Sequence, residues 1–303
     1  MYRIKKRLNI EHVTFDLYLI YALKFLYQKL FHLTCPQQQI LMIVGCQRSG
    51  TSLINRIFAR DFNINVYRES SCLSSNDPTQ TGHFKLRLNS FQDLESDLLK
   101  DKSPTIVLKP LVETQNILHL LDHFPQSKAL WMYRGYKDVV NSFLNKFSLN
   151  VGIRNIKAII DGNTDFWYSE SIPSSVRSTL VEFYRDDIQP ADAVVLFWYV
   201  RNSFFFELEL NLNSRVMMCK YEHMVCYPNQ FINDIYSFLG KRFRAINTWE
   251  INSYSVDKGR SLDLSADIQE LCDGLLSRLD QAFDKQMTAG QARPALRVAN
   301  QRV

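Results

Sequence analysis

Short apolar runs closed by glycine or a charged residue alternate along this chain with longer stretches whose apolar positions recur every three or four residues. That alternation predicts strands feeding helices. Residues 40–44 read as a first buried strand, followed by a polar loop and a helix through Leu53, Ile54, Ile57 and Phe58. Further strands are expected at 63–67, 105–108, 128–133 and 215–220, with helices at 113–123, from Asp138, at 191–210, at 229–239 and at 266–283. The helix at 191–210 holds Trp198, Tyr199 and the run Phe204–Phe206 and is apolar on most sides, so it belongs to the core. Strands alternating with helices give an α/β fold with a doubly wound parallel sheet, and ligands are then expected at the carboxyl ends of the strands.

Three regions depart from this pattern. Residues 148–190 carry Gly152, Gly162, Pro173 and Pro190 with no sustained periodicity before Val176, and read as an insertion or lid. Residues 286–303 read as a flexible tail. Residues 1–35 hold an apolar stretch, 17–33, that is interrupted by Lys24 and Lys29 and is marginal in length for a membrane span. It reads as an amphipathic helix packed on the domain, while docking on a membrane surface or on a partner subunit, as in a homo-oligomer, stays open beside that reading. The remainder, 36–285, is expected to be a single domain.

Composition narrows the partners. A formal charge of +5, with 36 basic residues scattered rather than blocked, suits a phosphate-bearing ligand better than a nucleic-acid track. The six cysteines form neither a CxxC pair nor a zinc-spaced cluster, so no metal site is expected and a reducing, cytoplasmic location is the simpler reading. No cleavable signal peptide is apparent behind Lys5, Lys6 and Arg7.

Two constellations carry chemistry. The first strand ends in Gly45-Cys46-Gln47-Arg48-Ser49-Gly50-Thr51-Ser52, the glycine spacing of a phosphate-binding loop that opens a helix. Where a nucleotide triphosphatase has lysine, this chain has Thr51, and its cation stands earlier as Arg48. The second is Arg134 at the end of the strand 128–133, with Ser142 eight residues on; a guanidinium and a hydroxyl there can bind a second phosphate above the sheet.

With those residues in place, the chain resembles the sulfotransferase family that uses 3′-phosphoadenosine 5′-phosphosulfate (PAPS) and releases adenosine 3′,5′-bisphosphate (PAP). The likeness runs from about residue 40 to 283. The loop Gly45 to Ser52 looks like the family's 5′-phosphosulfate loop in its Arg-Ser-Gly-Thr form, which implies that Gln47, Arg48, Ser49, Gly50, Thr51 and Ser52 bind the donor. Arg134 and Ser142 match the family's 3′-phosphate pair. Lys220-Tyr221-Glu222, followed by Pro228 and Phe238-Leu239-Gly240, resembles the stretch whose tyrosine lies near the adenine. Lys258-Gly259-Arg260 looks like the late loop that closes over the nucleotide. The resemblance implies a P-loop-like sulfotransferase fold and transfer without a metal.

Catalysis then needs in-line placement, cations on the charge that develops at the leaving phosphate, and a base for the acceptor proton. Arg48 is the first candidate cation and Lys109 the second. Glu69, just past the second strand, is where related enzymes of the Arg-Ser-Gly-Thr type keep a catalytic glutamate; pairing with Arg68 is its plain alternative, and His83 is the reserve base. No histidine follows Lys109 in the way cytosolic sulfotransferases have one. Asp161, Asp165, Glu170, Glu182, Asp186, Asp187 and Asp192 make 161–192 acidic in a basic chain, which points to a small, polar acceptor with a preference for cationic ones, as in secondary metabolism, sulfated at a hydroxyl or amide-like nitrogen. A P-loop phosphotransferase and a non-catalytic nucleotide-binding module are the rival readings.

Overall fold

A computed structural model describes residues 15–31, 38–75, 86–242, 248 and 251–299. In chain order the helices are α1 (Phe15–Phe31), α2 (Thr51–Ala59), α3 (Phe91–Leu99), α4 (Ile117–His123), α5 (Tyr136–Leu144), α6 (Asn150–Ile160), α7 (Ser174–Phe183), α8 (Pro190–Glu207), α9 (Tyr221–Cys226), α10 (Pro228–Phe238) and α11 (Ala266–Ala299). The strands are β1 (Gln39–Gly45), β2 (Ile64–Tyr67), β3 (Ser74–Ser75), β4 (Arg87–Leu88), β5 (Thr105–Leu108), β6 (Lys128–Tyr133) and β7 (Val216–Lys220). Five of them form one sheet in the order β2-β5-β1-β6-β7, and every pairing within it is parallel. The doubly wound α/β expectation holds, and β3 with β4 adds a small antiparallel hairpin.

Strand alternation divides the core into two layers. Leu41 and Ile43 of β1 face α2 and α10, together with Val107, Leu130 and Met132. Met42 and Val44 face the other way, against α8, with Ile106, Trp131 and Tyr133. Gly45 ends β1 at φ +115°, where a Cβ would lie 2.2 Å from the Met132 carbonyl oxygen. Only glycine lets the chain turn off the strand that close to β6.

The segment 148–190 is a packed helical wall. Ile156 and Ile159 of α6, and Val176 and Leu180 of α7, are buried in the core layer that contains α8. Gly152 had read as a breaker, yet it is the crossing point of α6 on α8: a Cβ there would meet Val194 Cγ2 at 2.6 Å. Glycine here is the condition for close helix packing rather than a sign of coil. At the other end of the chain, α11 continues helical to Ala299, past the expected start of the tail.

α1 inverts its expected packing. Among its described side chains, 22–30, Lys24 and Gln28 are buried, whereas Leu23, Phe25, Leu26 and Leu30 are exposed. The Lys24 ammonium donates to the Ala59 carbonyl at 3.1 Å, at the carboxyl end of α2, where a cation satisfies an orphan carbonyl and suits the helix dipole. Gln28 donates to the Phe62 carbonyl at 2.9 Å and exchanges hydrogen bonds with Asn65. Among the described residues, no helix is long and apolar enough to cross a membrane.

Candidate functional site

The carboxyl ends of the five strands, taken across the sheet, carry Glu69 after β2, Lys109 after β5, the loop 45–50 after β1, Arg134 after β6 and Tyr221 after β7. The topology therefore gathers residues far apart in sequence along one edge. Central to it is the loop, which holds left-handed backbone at Gly45, at Arg48 (φ 66°) and at Gly50 (φ 84°). Gly50 lies beneath Tyr221, where a Cβ would come within 2.4 Å of the ring. A non-glycine residue in that backbone region is strained, and such strain is held in place only by its surroundings. Arg48 is so held: its Nε donates to Ser142 Oγ at 3.0 Å, and its carbonyl accepts from Arg134 at 3.4 Å. The loop opens α2 at Thr51, and no side chain caps that end, so its backbone N–H groups remain available to an anion.

Arg134 is almost fully buried. Its guanidinium pairs with Asp138 at 3.2 Å, donates to the Ser255 carbonyl and lies 4.3 Å from the Tyr221 ring centre. Its own carbonyl accepts from Trp198 Nε1 at 2.9 Å, which ties the expected core tryptophan to the site from behind. Asp138, unremarkable in the sequence, organises this side. Besides Arg134 it accepts from the backbone N–H of Asp257 at 2.9 Å and of Gly259 at 3.0 Å, clamping the late loop. Gly259 is buried where a Cβ would lie 2.1 Å from the Lys137 carbonyl, whereas Lys258 and Arg260 are exposed. Tyr221 and Ser255 share a hydroxyl hydrogen bond of 2.6 Å, and Glu222 accepts from Gly135 N–H at 3.0 Å. A cavity of about 280 Å³ opens here, lined among others by Gly135, Lys137, Asp138, Glu222 and Arg260.

On the other side of β1, Lys109 Nζ donates to Ser52 Oγ at 3.0 Å and lies 3.6 Å from Glu69. The structure thus joins the candidate base, the second cation and the phosphate loop through one ammonium. Burial depresses the Lys109 pKa, opposed by Glu69 and reinforced by the nearby Arg68 and Arg48. Burial likewise lowers Arg48, with a further push from Arg134. Cations that cost desolvation and repel one another are poised for an anion. Thr114 at the end of the sheet braces Gly45, and Arg201, wholly buried on α8, holds Gln115 and the Leu111 carbonyl, each at 3.2 Å. Burial also pushes the Cys46 thiol up to about 12, against the smaller pulls of Arg201, Asn202 and Ser49.

His83 lies outside the described residues. The acidic residues of the wall do not converge on a pocket. Asp161, Asp165, Glu182, Asp186 and Asp187 are exposed, Glu170 pairs with Arg87, and buried Asp192 accepts from Ser265 at the start of α11. The charge argument for cationic acceptors therefore loses its premise. Gln47 Oε1 and Arg134 Nε are buried without a hydrogen-bond partner among the described residues, and buried polar atoms of that kind call for a ligand or water.

The family described as Sulfotransferase domain matches residues 38–271. Among solved structures, the sulfotransferase domain from the curacin biosynthetic pathway aligns with TM-score 0.52 at 14% identity, over 80% of this chain and 98% of that one. A sulfotransferase from Alicyclobacillus acidocaldarius aligns with TM-score 0.49 at 16% identity, over 84% of this chain and 99% of that one. No curated protein matches the sequence.

Proposed function

Since this chain belongs to the sulfotransferase domain family, we propose that it transfers a sulfuryl group from PAPS to a hydroxyl of a small-molecule acceptor. The observation that carries the reading is the row of strand ends: Arg48 in the loop that closes β1 and Arg134 at the end of the adjacent β6 set two linked guanidinium groups on one edge of the sheet. A donor with phosphate at both its 5′ and 3′ ends matches two such groups, whereas a nucleoside triphosphate needs one cradle and a metal.

In this reading the loop N–H groups, Arg48, Thr51 and Ser52 hold the 5′ end, Arg134 and Ser142 the 3′-phosphate, Tyr221 the adenine, and the 257–260 loop covers the nucleotide. Bound there, the donor supplies a sulfuryl group already activated as a mixed anhydride with phosphate. Glu69 takes the acceptor proton, while Lys109 and Arg48 neutralise charge that builds on the phosphate side as the bond to sulfur breaks. Lys109, between Ser52 and Glu69, keeps base and phosphate loop in one frame. The decisive experiment is calorimetry of PAP against ATP, with and without Mg²⁺. Micromolar binding of PAP that ignores Mg²⁺ supports the proposal; Mg²⁺-dependent ATP binding with none to PAP overturns it in favour of a phosphotransferase.

A further inference from the structure

The helix α1 presents an apolar face to solvent while its polar residues face the protein. At 100° per residue, Lys24 and Gln28 share one side, and Leu23, Leu26 and Leu30 share the other. The inner side is committed: Lys24 to Ala59, Gln28 to Phe62 and Asn65, and Tyr27 edge-on to Phe62 at 5.6 Å. The outer side has no partner among the described residues, with Leu23 exposed to 48%, Leu26 to 54% and Leu30 to 69% of their surface. A helix that merely closes the fold would be turned the other way, with its leucines buried. The polar anchors on the inner side hold it in this orientation.

We propose that this face of α1 docks the protein on an anionic lipid bilayer, with Leu23, Leu26 and Leu30 entering the headgroup–acyl boundary. Charge selects the occupant. Lys29 is exposed on the same outer half of α1, and the sequence just upstream carries Arg3, Lys5, Lys6 and Arg7. An exposed lysine on an outward apolar stripe, preceded in sequence by four further basic residues, matches anionic headgroups. Placement gives a further consequence. Ala59, Phe62 and Asn65 lie where α2 ends and β2 begins, so the docking face is at the amino-terminal edge of the sheet, opposite the strand ends that hold Glu69, Lys109 and Arg134. A docked molecule turns its catalytic edge to the water, and its acceptor arrives from solution.

The test is co-sedimentation of the full chain with vesicles of phosphatidylcholine containing about one-third phosphatidylglycerol, against pure phosphatidylcholine, at low and high salt. The protein should pellet with the anionic vesicles, and more weakly at high salt. Replacing Leu23, Leu26 and Leu30 together by Gln should reduce the partition coefficient by roughly tenfold or more, with circular dichroism and solution turnover unchanged. Changing Lys5, Lys6 and Arg7 to Gln should weaken binding several-fold and flatten its salt dependence; this variant leaves the packed face of α1 alone and keeps the test valid if the leucine variant misfolds. Failure to pellet, or equal pelleting with both vesicle types, overturns the proposal. So does a dimer in light scattering that the leucine variant converts to monomer without any effect on vesicles.

Discussion

The two sides of β1 are built differently. Toward β6 and β7, the groups assigned to the nucleotide are interlocked: Arg134, Asp138, Ser142, Tyr221, Ser255 and Gly259 share hydrogen bonds or an ion pair with one another or with the Arg48 loop. Toward β5 and β2, the described residues are linked more sparsely: Lys109 reaches Ser52 at 3.0 Å and Glu69 at 3.6 Å, and the short antiparallel pair β3–β4 follows. A dense side suits a ligand that never changes. A sparse one suits chemistry in which a proton must move and an acceptor must fit. The contrast teaches that affinity and turnover should be separable by mutation here, even though the residues concerned lie on one sheet edge.

The largest effect expected is on the sparse side. Glu69→Gln should lower kcat by roughly 10²-fold or more and leave PAP affinity nearly unchanged, as measured by steady-state kinetics beside calorimetry. A full-rate Glu69→Gln enzyme would remove the assigned base. On the dense side, Arg134→Ala should weaken PAP by roughly 10- to 100-fold and adenosine 5′-phosphate far less, because a charge-assisted contact to the 3′-phosphate is lost. Equal weakening of both nucleotides would show that the residue acts on the fold alone. Asp138→Asn retains the shape but not the charge that holds Arg134 and two backbone N–H groups. Its PAP affinity should fall on the order of tenfold, with faster proteolysis near residue 258 when nucleotide is absent.

Two smaller effects sharpen the contrast. Gly152→Ala should cost about 1–3 kcal/mol in denaturant unfolding by forcing α6 off Val194, with no change in PAP affinity in the folded fraction. The alkaline limb of the rate profile supplies the last. Burial depresses Lys109, so its charge is present at low pH and is lost as pH rises through a value below the ordinary ~10.4. The limb should fall in that lowered range in the wild type, and Lys109→Arg should move it upward; an unmoved limb would assign it to another group.

The parts read most directly from the sequence were those with short-range causes. An apolar run closed by Gly45 and continued by the Arg48–Thr51 turn announces a strand, a loop and a helix in one place, and the strand before Arg134 does likewise. What escaped had its cause in a distant partner. Gly152 looks like a helix breaker until Val194 is placed against it. Asp138 looks like half of an ordinary i,i+4 ion pair until the late loop, more than a hundred residues on, closes upon it. Lys24 looks like the wet face of a helix until the Ala59 carbonyl accepts its hydrogen bond. The missed helix α3 did have a local signal, since Ser90 accepts from Asp93 N–H as an N-cap ahead of Leu94 and Leu98.

The strand order has a use beyond explaining the site. β2 and β5 are neighbours at one margin of the sheet, with β2 outermost, and the chain from Ser70 to Pro104 leaves one and returns to the other, with Glu69 and Lys109 outside it. Because the nucleotide-side residues Arg134, Asp138 and Tyr221 hang from strands across β1, that stretch is a cassette. A designer seeking a new acceptor can exchange it between two fixed anchors and keep the donor machinery whole.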